Sequence, residues 1–308
     1  MLDIHEMQIF LIAAETGNFS EAGRRLQMSQ PAISMQIRSL EHRLNVELFH
    51  RSGRHIALTE IGHALVPMAR SLVNHAHTVE ESIASLQGEV IGNLRIACST
   101  TAGKYILPKL IAGFLDKYST VQVSCQLVSQ EEAAETIADN SSHLLLTGLR
   151  KPTRDVEYRQ FRSEPVILIA PPHHPWAVLG NIPVGQLTEG RFIQRELSSG
   201  TQQTVIEALA EHNLSLNDLP RVMVLGNSEA ICLAVAEGIG VGFVSACAAQ
   251  RAIEAGEIAH IAVDGLNMRQ QLFMARHLHN TPTIAQAAFW DYVYSPERAQ
   301  MLADGHKR

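Results

Sequence analysis

Ser29-Gln-Pro-Ala-Ile-Ser-Met-Gln-Ile37 is the stretch on which the reading of this chain turns. From Ile33 the apolar positions run through Ile37, Leu40 and Leu44, spaced four, three and four, which predicts a helix with one buried face. Ser29 offers a side-chain oxygen to the first turn. Pro31 is tolerated there because first-turn N–H groups have no helical partner. Facing away from that stripe, or flanking it, are Gln30, Ser34 and Met35, where a surface helix usually carries Glu or Lys. A helix lying in a DNA major groove needs such a face. Small and amide side chains let its backbone approach and can still hydrogen-bond base edges.

The flanks agree. Ile4–Glu15 has apolar Met7, Phe10, Leu11 and Ala14 at helical spacing, and Gly17-Asn18 stops it. Ser20 is expected to cap a short helix containing Ala22 and Leu26, and Gln27-Met28 to form a tight turn. Short helices joined in this way describe a helix-turn-helix. Arg51-Ser-Gly-Arg54, between Leu48-Phe49 and His55–Leu58, reads as a small hairpin or wing. The net charge of −6 hides a basic island. Residues 24–54 carry Arg24, Arg25, Arg38, Arg43, Arg51 and Arg54 against Glu41 and Glu47. A local patch is enough to meet a phosphate backbone. Arg38 on the outer face and Arg51 and Arg54 on the wing are the candidates for phosphate or minor-groove contact.

Thr59 is expected to cap a long helix running to about Gln87. Its stripe of Ile61, Leu65, Met68, Leu72, Val79, Ile83 and Leu86 is nearly heptad, broken around His75-Ala76, and Pro67 should bend it. So narrow a stripe implies a partner helix, most simply from a second copy. From Gly92 the texture changes to alternating strands and helices, which predicts a parallel α/β sheet. The pattern restarts at Val166, and the last strand and helix return to the first unit. The expected organisation is a winged helix-turn-helix over 1–58, a linker helix over 59–89 and a two-lobed α/β domain over 90–308. Lobe one takes about 90–163 and 268–308, and lobe two about 164–267.

Two strand-to-helix turns have anion-binding character: Ser99-Thr100-Thr101-Ala-Gly103, and Ser198-Ser199-Gly200-Thr201 in the second lobe. Hydroxyls and free N–H groups at a helix N-terminus favour carboxylate, phosphate or sulfate. Simple helix capping would use the same residues; two such turns in comparable places could instead face each other across a cleft. Ser129 and Thr147, at neighbouring strand ends, are second candidates, and Gln194 and Glu196 could reach the same space.

The run Gly17-Asn-Phe-Ser-Glu-Ala, Leu26, Ser29-Gln-Pro-Ala-Ile-Ser34, Gln36-Ile37, Leu40-Glu41, Leu44, Leu48-Phe49-His-Arg51, Leu58-Thr59 and Gly62 resembles the winged helix-turn-helix of LysR-type transcriptional regulators. Departures are Gly23 in place of an Ala pair, Asn45 for a common Gly, Ile61 for a small residue, and Met35 at a position often polar. The resemblance implies an effector domain related to periplasmic binding proteins, with the effector between its lobes. It also implies a dimer through the linker helix, a tetramer of two such dimers, and an imperfect inverted repeat of double-stranded DNA as target, with RNA polymerase as a further partner. The stretch Ser99–Pro108 with Ser198–Thr201 is similar to the branch regulating carbon fixation and nitrogen and sulfur assimilation, which implies a small anionic or polar effector.

Other function classes fit less well. No apolar run approaches the roughly 18 residues of a membrane span, and the N-terminus has acids where an export signal needs basic residues, so a cytoplasmic protein is expected. Four scattered cysteines with no CxxC argue against a disulfide framework or a zinc site. Gly238-Ile-Gly-Val-Gly242 runs from helix to strand, the reverse of a dinucleotide fingerprint. Fifteen histidines lack Cys or acids at ligand spacing, so neither a metal nor a cofactor is expected. The absence of GxSxG and HExxH leaves a hydrolase weakest, and no enzyme is expected. A solute-binding transport protein would account for the second half alone.

Overall fold

The computed structural model describes residues 2–52, 55–85, 90–151 and 153–296. Three helices open it: α1 (Ile4–Thr16), α2 (Phe19–Leu26) and α3 (Gln30–Leu44). Gly17 ends α1 with φ +60°, and Asn18, not Ser20, caps α2, its Oδ1 accepting from the N–H groups of Ser20 and Glu21. Asn is as good an N-cap as Ser, and here it stands immediately before the helix. Gln27 ends α2 in a left-handed conformation. Gly23 is required beneath that turn, because a Cβ there would lie 2.6 Å from the Met28 carbonyl oxygen. Ser29 caps α3 by accepting from the Ala32 N–H at 3.3 Å, and Asn45 closes it at φ 54°.

A hairpin of β1 (Phe49–Ser52) and β2 (His55–Leu58) follows. Glu41 anchors it, its Oε1 accepting from the N–H groups of Leu48 and Phe49 at 2.9 and 3.3 Å. Met7, Ile9, Phe10, Ala13, Phe19, Ile33, Ile37, Leu40 and Phe49 share one buried core. Then comes α4 (Glu60–Ser85), whose Ala69 and Val73 close that core from below. Thr59 knots the junction: its hydroxyl donates to the Glu47 carbonyl at 2.7 Å and accepts from the Gly62 N–H at 3.0 Å. Ile61, Met68, Leu72, Val79 and Ile83 lie exposed, while Leu65 packs on the helix-turn-helix core. The expected end of this helix, with Leu86 and Gln87, lies outside the described residues.

The α/β part begins with β3 (Gly92–Cys98), a π-helical turn (Ala102–Ile106) and α5 (Leu107–Lys117). Next are β4 (Val121–Leu127), α6 (Ala133–Ala138), β5 (Leu144–Thr147) and β6 (Val156–Ala170). The second lobe adds α7 (Pro175–Leu179), β7 (Asn181–Pro183), β8 (Phe192–Arg195), α8 (Gly200–Ala210), β9 (Arg221–Leu225), α9 (Ser228–Ala236), β10 (Val241–Ser245), α10 (Ala246–Glu254) and β11 (Ala259–Asp264). Finally, β12 (Arg269–His277) and α11 (Ile284–Val293) return to the first lobe.

Strands run β4-β3-β5-β12-β6-β10-β8-β9, with β11 beside β6 and β7. The purely parallel expectation holds for β4-β3-β5 and for β9-β8-β10. It fails for β12, antiparallel to both β5 and β6, and for β6 against β10 and β11. These strands carry the chain between lobes and must return, so they cannot run with their neighbours. Val156–Pro165 pairs with β12, and the rest of β6 pairs with β10 and β11 in lobe two. Phe114, Phe289 and Trp290 fill lobe one; Trp176, Phe192 and Phe243 fill lobe two.

The linker helix meets lobe one through polar groups. Arg70 pairs with Asp139, and Asn74 Nδ2 donates to the Asn140 carbonyl at 3.2 Å. Arg95 donates to Asn74 Oδ1 at 2.9 Å. Beneath these groups His143 is buried, its Nδ1 accepting from the Arg95 N–H at 3.3 Å. Burial first, then the nearby Arg95 charge, push its pKa down to about 3.

Candidate functional site

The N-terminal half presents α3. Gln30, Pro31, Met35 and Arg38 are exposed and Ser34 is half-buried, while Ile33, Ile37 and Leu40 are fully buried. The buried stripe pins the helix, and the capped N-terminal end projects outward. Met35 is 64% exposed, so most of its side chain is open to an external contact. Neighbouring arginines divide by role. Arg25 pairs with Glu15 and Glu21, Arg24 with Glu21, and Arg43 with the buried Glu6. Among the described residues Arg38 has no acidic partner, which leaves it available to phosphate. Arg51 belongs to β1; Arg54 lies outside the described residues.

The second site is a cleft of about 370 Å³ between the lobes, within the range that holds a small metabolite. It opens beyond the carboxyl ends of both parallel strand triplets, where open α/β sheets bind ligands. Ser99, Thr100 and Thr101 follow β3, Ser129 and Gln130 follow β4, and Ser198, Ser199 and Thr201 lead into α8. Eight of the ten positions named for a cleft, Glu196 among them, thus line one cavity. Gln194 does not: it is buried, its amide donating to the Leu216 carbonyl. Nor does Thr147. Its hydroxyl is turned inward, donating to the Leu149 carbonyl at 3.1 Å and accepting from the Leu149 N–H at 3.2 Å, and the residue is 1% exposed. It shapes the turn behind the wall.

The hydroxyls divide again by whether they are already used. Ser129 and Glu132 form a reciprocal capping box, and Ser199 caps α8 by accepting from the Gln202 N–H at 3.4 Å. Thr201 donates to Gln270 Oε1 at 3.1 Å across the lobes. Among the described residues the side chains of Ser99, Thr100, Thr101 and Ser198 hold no partner in the protein. They and the N-terminus of α8 are therefore the groups with unused hydrogen-bonding capacity.

Three polar lining residues escaped the sequence reading: Gln130, Gln270 and Arg195. Gln270 sits on β12 between Gly148 and Gly200, where any Cβ on either glycine would overlap its amide. Arg195 is 6% exposed at the end of β8. Its guanidinium donates to Glu196 from Nε and Nη2 at 2.8 and 2.7 Å, to Ser228 Oγ at 3.2 Å and to the Gly226 carbonyl at 3.2 Å. An adjacent Arg-Glu pair usually decorates a surface, so only the apolar strand Phe192-Ile193 before it could have signalled burial. Burial also pushes the Cys98 and Cys247 thiols up to about 12, so neither is a thiolate nucleophile at neutral pH. Among the described residues no cluster of His, Cys, Asp and Glu could hold a metal, and no helix is long and apolar enough to cross a membrane.

Known proteins share both halves. Residues 4–63 match the "Bacterial regulatory helix-turn-helix protein, lysR family", and residues 87–295 match the "LysR substrate binding domain". The chain is 30% identical to the HTH-type transcriptional activator CmpR of Synechocystis over 300 residues, 97% of each protein. It is also 30% identical to the RuBisCO operon transcriptional regulator of Allochromatium vinosum, covering 97% of this chain and 98% of that protein. The structure of the Synechocystis CcmR regulatory domain in complex with 2-PG superposes with TM-score 0.58 and 28% identity, over 66% of this chain and 95% of that one. With a reading head matched at one end and a cleft matched at the other, the chain belongs to the LysR family of transcriptional regulators, which are DNA-binding proteins and not enzymes.

Proposed function

We propose that this regulator works in the cytoplasm as a dimer, and as a tetramer of two such dimers, on an imperfect inverted repeat of double-stranded DNA. The exposed apolar positions on α4, spaced seven, four, seven and four from Ile61 to Ile83, suit a second copy of the same helix. Two α3 helices would then enter successive major grooves, with Gln30, Pro31, Ser34 and Met35 at base edges. Arg38, Arg51 and Arg54 would meet the backbone. A small anionic metabolite held between Ser99–Thr101 and Ser198–Thr201 would change the relation of the lobes, and with it DNA bending and contact with RNA polymerase. The observation that carries this reading is one chain bearing both an α3 whose capped N-terminal end presents uncharged Gln30, Ser34 and Met35 and a hydroxyl-lined cleft.

Selection of binding sites from random duplexes tests the DNA half. Gln30→Ala should relax base preference at one position in each half-site while leaving non-specific affinity nearly unchanged, a loss of about 1–3 kcal/mol of discrimination. An unaltered preference would remove Gln30 from the base-reading set. The cleft is tested by thermal shift of the full chain against phosphorylated sugars, phosphoglycolate, 2-oxo acids, sulfate and phosphate. Thr100→Val should lose at least about tenfold in affinity for whichever compound raises the wild-type midpoint, since an isosteric methyl replaces a hydroxyl with no partner in the protein. A normal response would place the ligand elsewhere.

A further inference from the structure

Arg195 and Glu196 are the two charged residues lining the cleft, and they are held very differently. Arg195 is fixed from every side. Its backbone N–H donates to Gln202 Oε1 at 3.0 Å, its Nη1 donates to Ser228 Oγ and its Nη2 to the Gly226 carbonyl, and its side chain is 6% exposed. Glu196 stands one residue beyond the strand, and its side chain is 35% exposed. Its carboxylate has Arg195 as its single partner among the described residues. The pair is bidentate, the arrangement a guanidinium makes with any carboxylate or phosphate.

We infer that Glu196 is a built-in stand-in for the effector: an effector carboxylate or phosphate takes its place on the Nε–Nη2 edge of Arg195. The inference rests on the regulator reading above and says how its cleft is kept and released. A buried guanidinium needs an anion, because an uncompensated charge out of water is costly. Glu196 meets that need in the free protein and leaves the cleft electrically neutral. When its half-exposed side chain swings into water, the Arg195 edge is free and the cleft carries one positive charge. The incoming oxyanion gains the same two charge-assisted hydrogen bonds. The rest of the molecule can then reach the uncommitted hydroxyls of Ser99, Thr100, Thr101 and Ser198. A monoanion that engages Arg195 alone merely exchanges one carboxylate for another and gains little. Selectivity therefore favours a ligand with a second polar or anionic group spaced to span the two walls.

The test uses the full chain and two defined anions, inorganic phosphate and malonate, titrated calorimetrically into wild type, Glu196→Gln and Glu196→Asp. With the competing carboxylate gone, Glu196→Gln should bind at least one of them about tenfold or more tightly. Glu196→Asp keeps the charge but cannot reach both nitrogens, and should fall between. A gain confined to phosphate names a phosphate ester as effector; one confined to malonate names a carboxylic acid. A purely structural role for Glu196 predicts the reverse, a lower melting temperature and equal or weaker anion binding, and that result overturns the inference. Failure of all three proteins to bind either anion overturns it too, since a vacated bidentate edge must accept one. Should Glu196→Gln not fold, the Asp variant decides alone: a gain supports the exchange, and no gain refutes it. Operator binding by the same proteins separates the two levels. If even wild type selects no DNA site, the regulator reading fails, whatever the anion data show.

Discussion

Replacing Gly62 by alanine is expected to abolish specific DNA binding while leaving the ligand cleft intact. Gly62 is the third residue of α4, and a Cβ there would run into the Leu48 carbonyl oxygen and lie 2.9 Å from Leu58 Cδ2. The obstacle is backbone, so no side-chain rotation relieves it. The same carbonyl accepts from the Thr59 N–H at 3.0 Å, and Gly62 itself donates to Thr59 Oγ1. Relief by movement would therefore break the knot that fixes the linker helix to the hairpin and, through Glu41, to α3. Forcing a methyl into a closed contact costs about 1–3 kcal/mol, and the hairpin would lose its register with α3. Filter binding to a selected operator checks the loss. Gly185→Ala is the control, since nothing lies within 4 Å of a Cβ there, and it should behave as wild type.

A second large effect is expected from acid. His143 titrates near 6.5 in an unfolded chain and near 3 when folded. Its lowered folded value means that the unfolded chain binds the extra proton as pH falls below 6.5. Stability present above that point is lost progressively toward pH 3, at roughly 1.4 kcal/mol per unit, or about 3 kcal/mol by pH 4. The structural reason is specific: Nδ1 accepts the Arg95 N–H, and a protonated ring would set a donor against that donor inside a buried site, beside the Arg95 guanidinium. His143→Asn retains an acceptor of similar reach and has nothing to titrate. Denaturant unfolding should show the variant and wild type differing by a constant amount above pH 7, with the variant gaining on wild type below pH 6.5. Trp290 lies in lobe one and Trp176 in lobe two, and the chain has two tryptophans. A Trp176→Phe background therefore lets fluorescence report the relevant lobe. A parallel pH dependence in the two proteins would show that another group governs acid sensitivity.

Most of the reading head was legible because its signals are local. Ser29 and Thr59 cap the helices that follow them through side-chain oxygens three residues from the N–H they accept, Asn45 ends α3 in a left-handed conformation, and Ile33, Ile37 and Leu40 declare their face by spacing. The slip, Ser20 for Asn18, exchanged two cap formers two positions apart. The α/β part was legible where strands are buried on both faces, as Leu144–Thr147 and Val241–Ser245 are. It was illegible where the chain crosses between lobes. Val156–Pro165 mixes charge with half-exposed residues and ends in proline, so no period of two stands out, and only pairing with the distant β12 makes it a strand. The cleft divided in the same way. Hydroxyls before a helix announce themselves. Thr147 satisfies its own turn, Arg195 is buried by elements thirty residues downstream, and Gln270 arrives from the far end of the domain; each needs tertiary geometry to be placed.

Because β6 is one unbroken strand of fifteen residues, the two walls of the cleft hang from opposite halves of a single rod. A paired strand resists stretching and sliding but yields in twist. Twist between the lobes is therefore the motion this strand would allow most readily, and on the proposed reading a small molecule in the cleft would act as a torque. Its ladder with β12 shifts register between Leu272 and Phe273, where Phe161 of β6 is the extra residue, and Leu272 lines the cleft. Irregularities of this kind gather local twist, so the compliant point of the rod lies beside the ligand. Lobe one is clamped to α4 through Arg70 and Asp139. On the proposed reading, a rotation begun at the cleft would have the linker helix as its lever arm, and a few degrees there would move α3.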